Sequence, residues 1–218
     1  MPPTSLDRRS LCLALAGGAM GLGQGAKARA RFDEKSKLFR LDGGAATYAM
    51  GIDAQGRLQS LYWGARLADD DVLPPAAPVR ALAPLDGPGA RSPEEYPGWG
   101  GGLFTEPALK LAYVDGVRDL VLRYASHRLD GDVLRIRLKD ILRELHVELT
   151  YAMDAETGVL ARSVVIENGT SQIVRLDQVA AAAFTLPVGD YDLHYLTGRW
   201  WAEWQLQTRA VTSGATVL

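Results

Sequence analysis

The stretch Val133-Leu134-Arg135-Ile136-Arg137-Leu138 alternates apolar with basic residues, one by one. A period of two sends successive side chains to opposite faces of an extended chain, and a helix cannot gather such a set on one stripe. Leu145-His146-Val147-Glu148-Leu149-Thr150-Tyr151 repeats the pattern. Further strand-like runs cover residues 38–42, 47–52, 57–64, 109–113, 120–124, 160–167, 173–184, 192–197 and 200–207. Turn residues separate them: Gly43-Gly44, Asp53-Ala54-Gln55-Gly56, Asp115-Gly116 and Asn168-Gly169. Asp115-Gly116 predicts a hairpin between 109–113 and 120–124, and Asn168-Gly169 one between 160–167 and the run from 173. Residues 178–183 have some helical propensity but lie inside a strand-like run. Short strands at this spacing predict an all-β sandwich or barrel, and 218 residues suit one such domain.

Two stretches break the pattern. Residues 65–95 carry Asp69-Asp70-Asp71 and then Pro74, Pro75, Pro78, Pro84, Pro88 and Pro93, with no periodicity. A loop of that length is usually functional or disordered. Glu95-Tyr96-Pro97-Gly98-Trp99-Gly100-Gly101-Gly102-Leu103-Phe104 follows, too rich in Gly and Pro for a helix. It reads as a stiff loop that holds Tyr96 and Trp99 out from the chain as ring faces for a sugar. The same residues fit a glycine-rich corner with Trp99 plugging the core beneath.

The N-terminus reads as a targeting segment. Arg8-Arg9 precede a weakly apolar stretch, residues 11–22, followed by Lys27 and Ala28-Arg29-Ala30. Paired arginines, low hydrophobicity, a late lysine and a small-x-small site predict a twin-arginine export signal over residues 1–30, and a periplasmic or secreted protein. Asp7 and Leu11 depart from the commonest signal residues. Cys12, the sole cysteine, would leave with the signal, so no disulfide is expected.

No membrane partner is expected after cleavage, because no apolar run approaches the roughly 20 residues a spanning helix needs. Dispersed Lys and Arg and a net charge of −2 give no basic stripe for nucleic acid. No nucleophile elbow, P-loop or dinucleotide fingerprint is present. His127, His146 and His194 lack partners at metal-ligand spacing, so neither metal nor cofactor is expected. Glu94 and Glu95 are adjacent, and neighbours on an extended segment point apart, which makes a poor acid/base pair.

Several motifs occur in order around the aromatic loop: Leu61-Tyr62-Trp63-Gly64, then Glu95-Tyr96-Pro97-Gly98-Trp99-Gly100. Leu122-Arg123-Tyr124-Ala125-Ser126-His127-Arg128, Leu149-Thr150-Tyr151 and Ala161-Arg162-Ser163-Val164 follow. Asp190-Tyr191-Asp192-Leu193 and Leu196-Thr197-Gly198-Arg199-Trp200 complete the set. In this order and spacing the chain resembles the N-terminal domain of family 36 glycoside hydrolases, the microbial α-galactosidases, over about residues 38–207.

The resemblance implies a β-supersandwich of the galactose-mutarotase-like type. It implies a (β/α)₈ barrel beyond it that hydrolyses terminal α-galactosides with retention, using two aspartates. Those barrel motifs are absent from this sequence, so the chain is expected to be an incomplete domain that is inactive alone, with α-galactoside oligosaccharides, the barrel and further copies of itself as partners. In tetrameric members the N-terminal domain lends loop residues to a neighbouring active site. The corresponding loop is residues 74–95, which makes Arg80 and Arg91, with Tyr96 and Trp99, candidates for substrate or subunit contact. Val79 stands where an acid is often found. Trp200, Trp201 and Trp204 are expected to pack in the core or at a domain interface. Two alternatives remain: a free-standing carbohydrate-binding module, and a mutarotase-like enzyme that needs a His and an acid on an open concave face.

Overall fold

A computed structural model describes residues 29–79, 85, 87, 91–103, 105–186, 189–212 and 214. Twelve strands, and no helix, form among them. In chain order they are β1 (Arg29–Asp33), β2 (Leu38–Gly43), β3 (Ala46–Ile52), β4 (Leu58–Ala65), β5 (Leu109–Tyr113), β6 (Leu122–Asp130), β7 (Val133–Asp140), β8 (Leu145–Met153), β9 (Leu160–Asn168), β10 (Val174–Val179), β11 (Asp192–Arg199) and β12 (Ala202–Ala210). The chain divides into two compact units, the first ending at Phe184 and the second running from Thr185 to Leu218.

In the first unit β6-β7-β8-β9 form one antiparallel sheet and β1-β2-β3-β4 another. The alternation of β7 and β8 sorts their faces as expected. Leu134, Ile136, Leu138, Val147, Leu149 and Tyr151 are buried, while Arg135, Arg137 and Lys139 point outward to pair with Glu148, Glu167 and Glu144. The inward residues meet Phe39, Leu41, Tyr48 and Met50 of the opposing sheet in one continuous core. Each such side chain contributes about 1.5–3 kcal/mol by leaving water.

The β1–β4 sheet is buried on its other face too. Arg40 donates to the carbonyls of Leu67 and Ala68 at 2.6 and 2.9 Å and to Asp42 at 2.9 Å, while Thr47 Oγ1 accepts from the Leu67 amide at 3.1 Å. The start of the proline-rich stretch is therefore a cover over β2 and β3. Asp69 and Asp71 serve that cover, pairing with Arg31 at 3.3 Å and accepting from the Ala68 amide at 2.7 Å.

Both predicted hairpins at Asp115-Gly116 and Asn168-Gly169 are corrected. Residues 113–117 do turn tightly, with the Tyr113 amide donating to the Val117 carbonyl at 2.9 Å. However, β5 pairs with β10, and β6 with β7. The outer edge of β5 already holds Gly98, bridged to Leu109, so the chain after the turn crosses to the opposite sheet. At the other site the Gly169 amide donates to the Glu144 carbonyl at 2.7 Å, and Thr170 closes on the Asn168 side chain at 2.6 Å. The chain then crosses layers, and β10 lays Val174 beside Tyr113 of β5. A turn dipeptide fixes a reversal of direction, but burial of the strands decides which ones pair.

Strand β1 was not anticipated. It pairs Arg29 with Asp42 and Ala30 with Leu41, so folded structure begins inside the segment assigned to the export signal. The rest of that segment, with Arg8, Arg9 and Cys12, lies outside the described residues.

Candidate functional site

Residues 92–99 stitch the first unit together. The Ser60 amide donates to the Pro93 carbonyl at 2.9 Å and the Glu95 amide to the Leu58 carbonyl at 2.8 Å, which fastens the segment to β4. The Ala108 amide donates to the Pro97 carbonyl at 2.8 Å and the Trp99 amide to the Leu109 carbonyl at 3.2 Å, which fastens it to β5. The segment thus joins the β1–β4 sheet to the β5–β10 pair in one layer. Its glycines are required by close approach. A Cβ on Gly98 would stand 2.5 Å from the Leu120 carbonyl oxygen, and one on Gly100 2.7 Å from the Leu120 nitrogen. Neither backbone atom can move aside without unpicking the stitch.

Under the stitch lies a buried polar knot. Glu95 has no exposed surface. Its carboxylate accepts from the Tyr48 hydroxyl at 2.6 Å and the Tyr151 hydroxyl at 3.1 Å, and Arg162 lies 2.8 Å away as its counter-ion. The guanidinium also packs 4.8 Å over the Tyr151 ring and 5.5 Å from that of Phe184. Phe184 in turn stacks on Trp63 at 5.0 Å. Burial pushes the Glu95 carboxyl up, opposed by Arg162 and the two tyrosine hydroxyls. Burial and the neighbouring carboxylate push both tyrosines up as well, so they remain donors. Glu94 points elsewhere, 3.7 Å from Arg57 and raised chiefly by burial. The adjacent glutamates diverge, as the extended segment requires.

The sequence-derived site residues separate in this geometry. Tyr96 is corrected: it is buried, its hydroxyl donates to the Ala180 carbonyl at 3.0 Å, and burial pushes it up to about 12. A ring enclosed in the core offers no face to a sugar. Trp99 is half-exposed, with Lys110 Nζ 5.5 Å and the Arg118 guanidinium 5.4 Å from its ring centre. Beside it opens a shallow hollow of about 260 Å³ lined by Gly98, Trp99, Leu103, Thr105, Glu106 and Lys110. Glu106 holds Lys110 at 2.5 Å. An indole face flanked by a cation, a carboxylate and a hydroxyl has the chemistry to take one sugar ring. Arg91 is exposed on the approach to the stitch, and Arg80 lies outside the described residues.

Sequence reasoning missed the knot itself. Its signal was present: Glu95, Tyr151 and Arg162 each sit in one of the motifs that carry the family resemblance. Nothing in those motifs says that they converge.

The histidines do not assemble a mutarotase-like site. His127 packs 4.3 Å from Phe32 and 4.9 Å from Phe39 and bonds the Tyr124 hydroxyl at 2.7 Å. His194 bonds Thr208 at 2.9 Å in the second unit. His146 approaches Glu144 at 3.4 Å, but on the outward face of β8, where Lys139 already holds that carboxylate at 2.6 Å. Among the described residues, no three His, Cys, Asp or Glu side chains gather as a metal site.

The model of the glycosyl hydrolase family 36 N-terminal domain matches residues 56–218. The chain belongs to this family. It is 27% identical over 209 residues to α-galactosidase AgaA of Geobacillus stearothermophilus, a match covering 84% of this chain and 29% of that enzyme. It is 26% identical over 215 residues to α-galactosidase 2 of Hypocrea jecorina, covering 89% of this chain and 28% of the relative. The crystal structure of the family 36 α-galactosidase AgaB from Geobacillus stearothermophilus superposes with a TM-score of 0.76 at 27% identity, over 85% of this chain and 29% of AgaB. The chain thus spans less than a third of the length of the curated relatives it matches. The all-β sandwich is the fold of this family's N-terminal domain.

Proposed function

We propose that this chain is the non-catalytic N-terminal domain of a longer, exported α-galactosidase-type enzyme that acts on terminal α-galactosides with retention. The carrying observation is the superposition of 85% of the chain on 29% of AgaB. A substrate of the raffinose class is supported by AgaA, which has been solved with raffinose. In this reading the stitch and its knot form a rigid wall, and Trp99 with its hollow is the sugar-facing part. Arg80 and Arg91 serve subunit or substrate contact in a homo-oligomer. Arg8-Arg9 and the weakly apolar residues 11–22 support export by the twin-arginine route.

Purified chain incubated with an aryl α-galactoside should give no turnover above a buffer blank. Turnover well above the blank defeats the non-catalytic reading. The Trp99 hollow also favours a second reading, a free-standing carbohydrate-binding module. It requires saturable calorimetric heat with raffinose that Trp99→Ala abolishes, and absence of heat removes it.

A further inference from the structure

We propose that the β11–β12 hairpin docks onto the catalytic portion of the longer enzyme through Trp200, Trp201 and Trp204. The inference rests on the domain reading above. The two strands form an antiparallel pair with no third strand among the described residues, and Arg199 pairs with Ala202 to place Trp200 and Trp201 at the turn. A lone two-stranded hairpin is marginally stable at best. This one nevertheless exposes its three tryptophans by 83%, 86% and 79%, and its facing pair Leu196 and Leu206 by 54% and 67%.

The backbone makes the same point. Trp201 and Trp204 have φ of 71° and 62°, in the left-handed region that large side chains rarely occupy. Trp204 sits at the register shift opposite Gly198. Strain of this kind persists where other contacts determine it, and nothing within the hairpin rewards it. The missing contacts must come from a surface outside the hairpin.

That surface is protein rather than sugar. The Trp200 and Trp201 rings stand 6.3 Å apart at 76°, so they share no platform on which a sugar could lie. The exposed leucine pair is likewise a partner for apolar side chains and not for hydroxyls. The occupant is set by length: the domain match runs through the hairpin to residue 218, and AgaA carries more than two thirds of its length outside the matched part. The docking surface is therefore expected to be apolar, with room for three indoles.

Hydroxyl-radical footprinting read residue by residue tests this on the isolated chain and on a chimera in which the chain replaces the matching part of AgaA. Val72, 93% exposed in the first unit, is the internal standard. The three tryptophans should label strongly in the isolated chain and roughly fivefold less in the chimera, as for rings moved from water into an interface. Equal labelling in both overturns the docking, and if that chimera hydrolyses α-galactosides the domain reading survives alone. Protection in the isolated chain that grows with concentration assigns the surface to a second copy and overturns the proposal, as does protection by raffinose. A separate measurement does not depend on the chimera folding. Trp201→Gly and Trp204→Gly in the isolated chain should leave Tm unchanged or raise it, and a loss of several degrees would show the rings already packed within the chain.

Discussion

Residues 92–99 and the β11–β12 turn both carry large aromatics on short connections beside a glycine, and the fold treats them in opposite ways. In the first, Tyr96 is 1% exposed, and Glu95 beneath the segment meets two tyrosines and an arginine. In the second, three tryptophans stand about four-fifths or more exposed over a two-stranded ribbon. Aromatic content is the same kind of signal in both. What differs is the number of layers around it: the stitch lies between two sheets, and the hairpin is a single pair of strands. An aromatic loop therefore indicates that a surface must be covered, and the surrounding layers determine whether its own domain does the covering.

Substitutions can break this comparison. The largest effect is expected from Arg162→Met, which strands the Glu95 carboxylate in the core at a cost of about 3–5 kcal/mol by chemical denaturation at neutral pH. Loss of the counter-ion leaves burial to raise the Glu95 carboxyl further above its ordinary value of 4.5. A raised carboxyl binds more protons folded than unfolded, so the variant's stability should fall as pH rises above about 4.5 and recover on acidification towards that value. A deficit that does not shrink at low pH would show that Glu95 is not carrying the charge.

Gly98→Ala comes next. A Cβ 2.5 Å from the Leu120 carbonyl forces the stitch away from β6's approach strand, and overpacking of this kind costs about 1–3 kcal/mol. A neutral result would mean that the segment is held more loosely than its hydrogen bonds indicate. Tyr96→Phe removes only the bond to the Ala180 carbonyl and should cost about 0.5–1.5 kcal/mol, measured as a shift in urea midpoint without change in slope. The smallest effect belongs to the hairpin: Trp200→Ser should stay within about 0.5 kcal/mol in the isolated chain. A larger loss would erase the contrast between the two regions.

Most strands were legible because period-two burial is written directly in residues such as Leu134, Ile136 and Leu138. Pairing was less legible. Asp115-Gly116 and Asn168-Gly169 are genuine reversals, yet β5 and β10 find each other across more than fifty residues because together they close the core beside Tyr113 and Leu111. The site was half legible. Trp99 was singled out and is half-exposed, whereas Tyr96 was singled out and is buried, because one residue's difference in position turns a side chain to the other face. Glu95, Tyr151 and Arg162 were quoted in separate motifs, and no local pattern announces that they touch.

The sequence by itself determined the class of structure, the glycine-dependent corner and the family, since each depends on local spacing that a chain carries with it. Only the tertiary structure decided which strands pair, that residues 66–73 cover β2 and β3, and that the Glu95–Trp99 loop is a stitch over a buried ion pair. Those outcomes depend on burial between layers, a property that no single stretch of chain possesses until the other layer is in place.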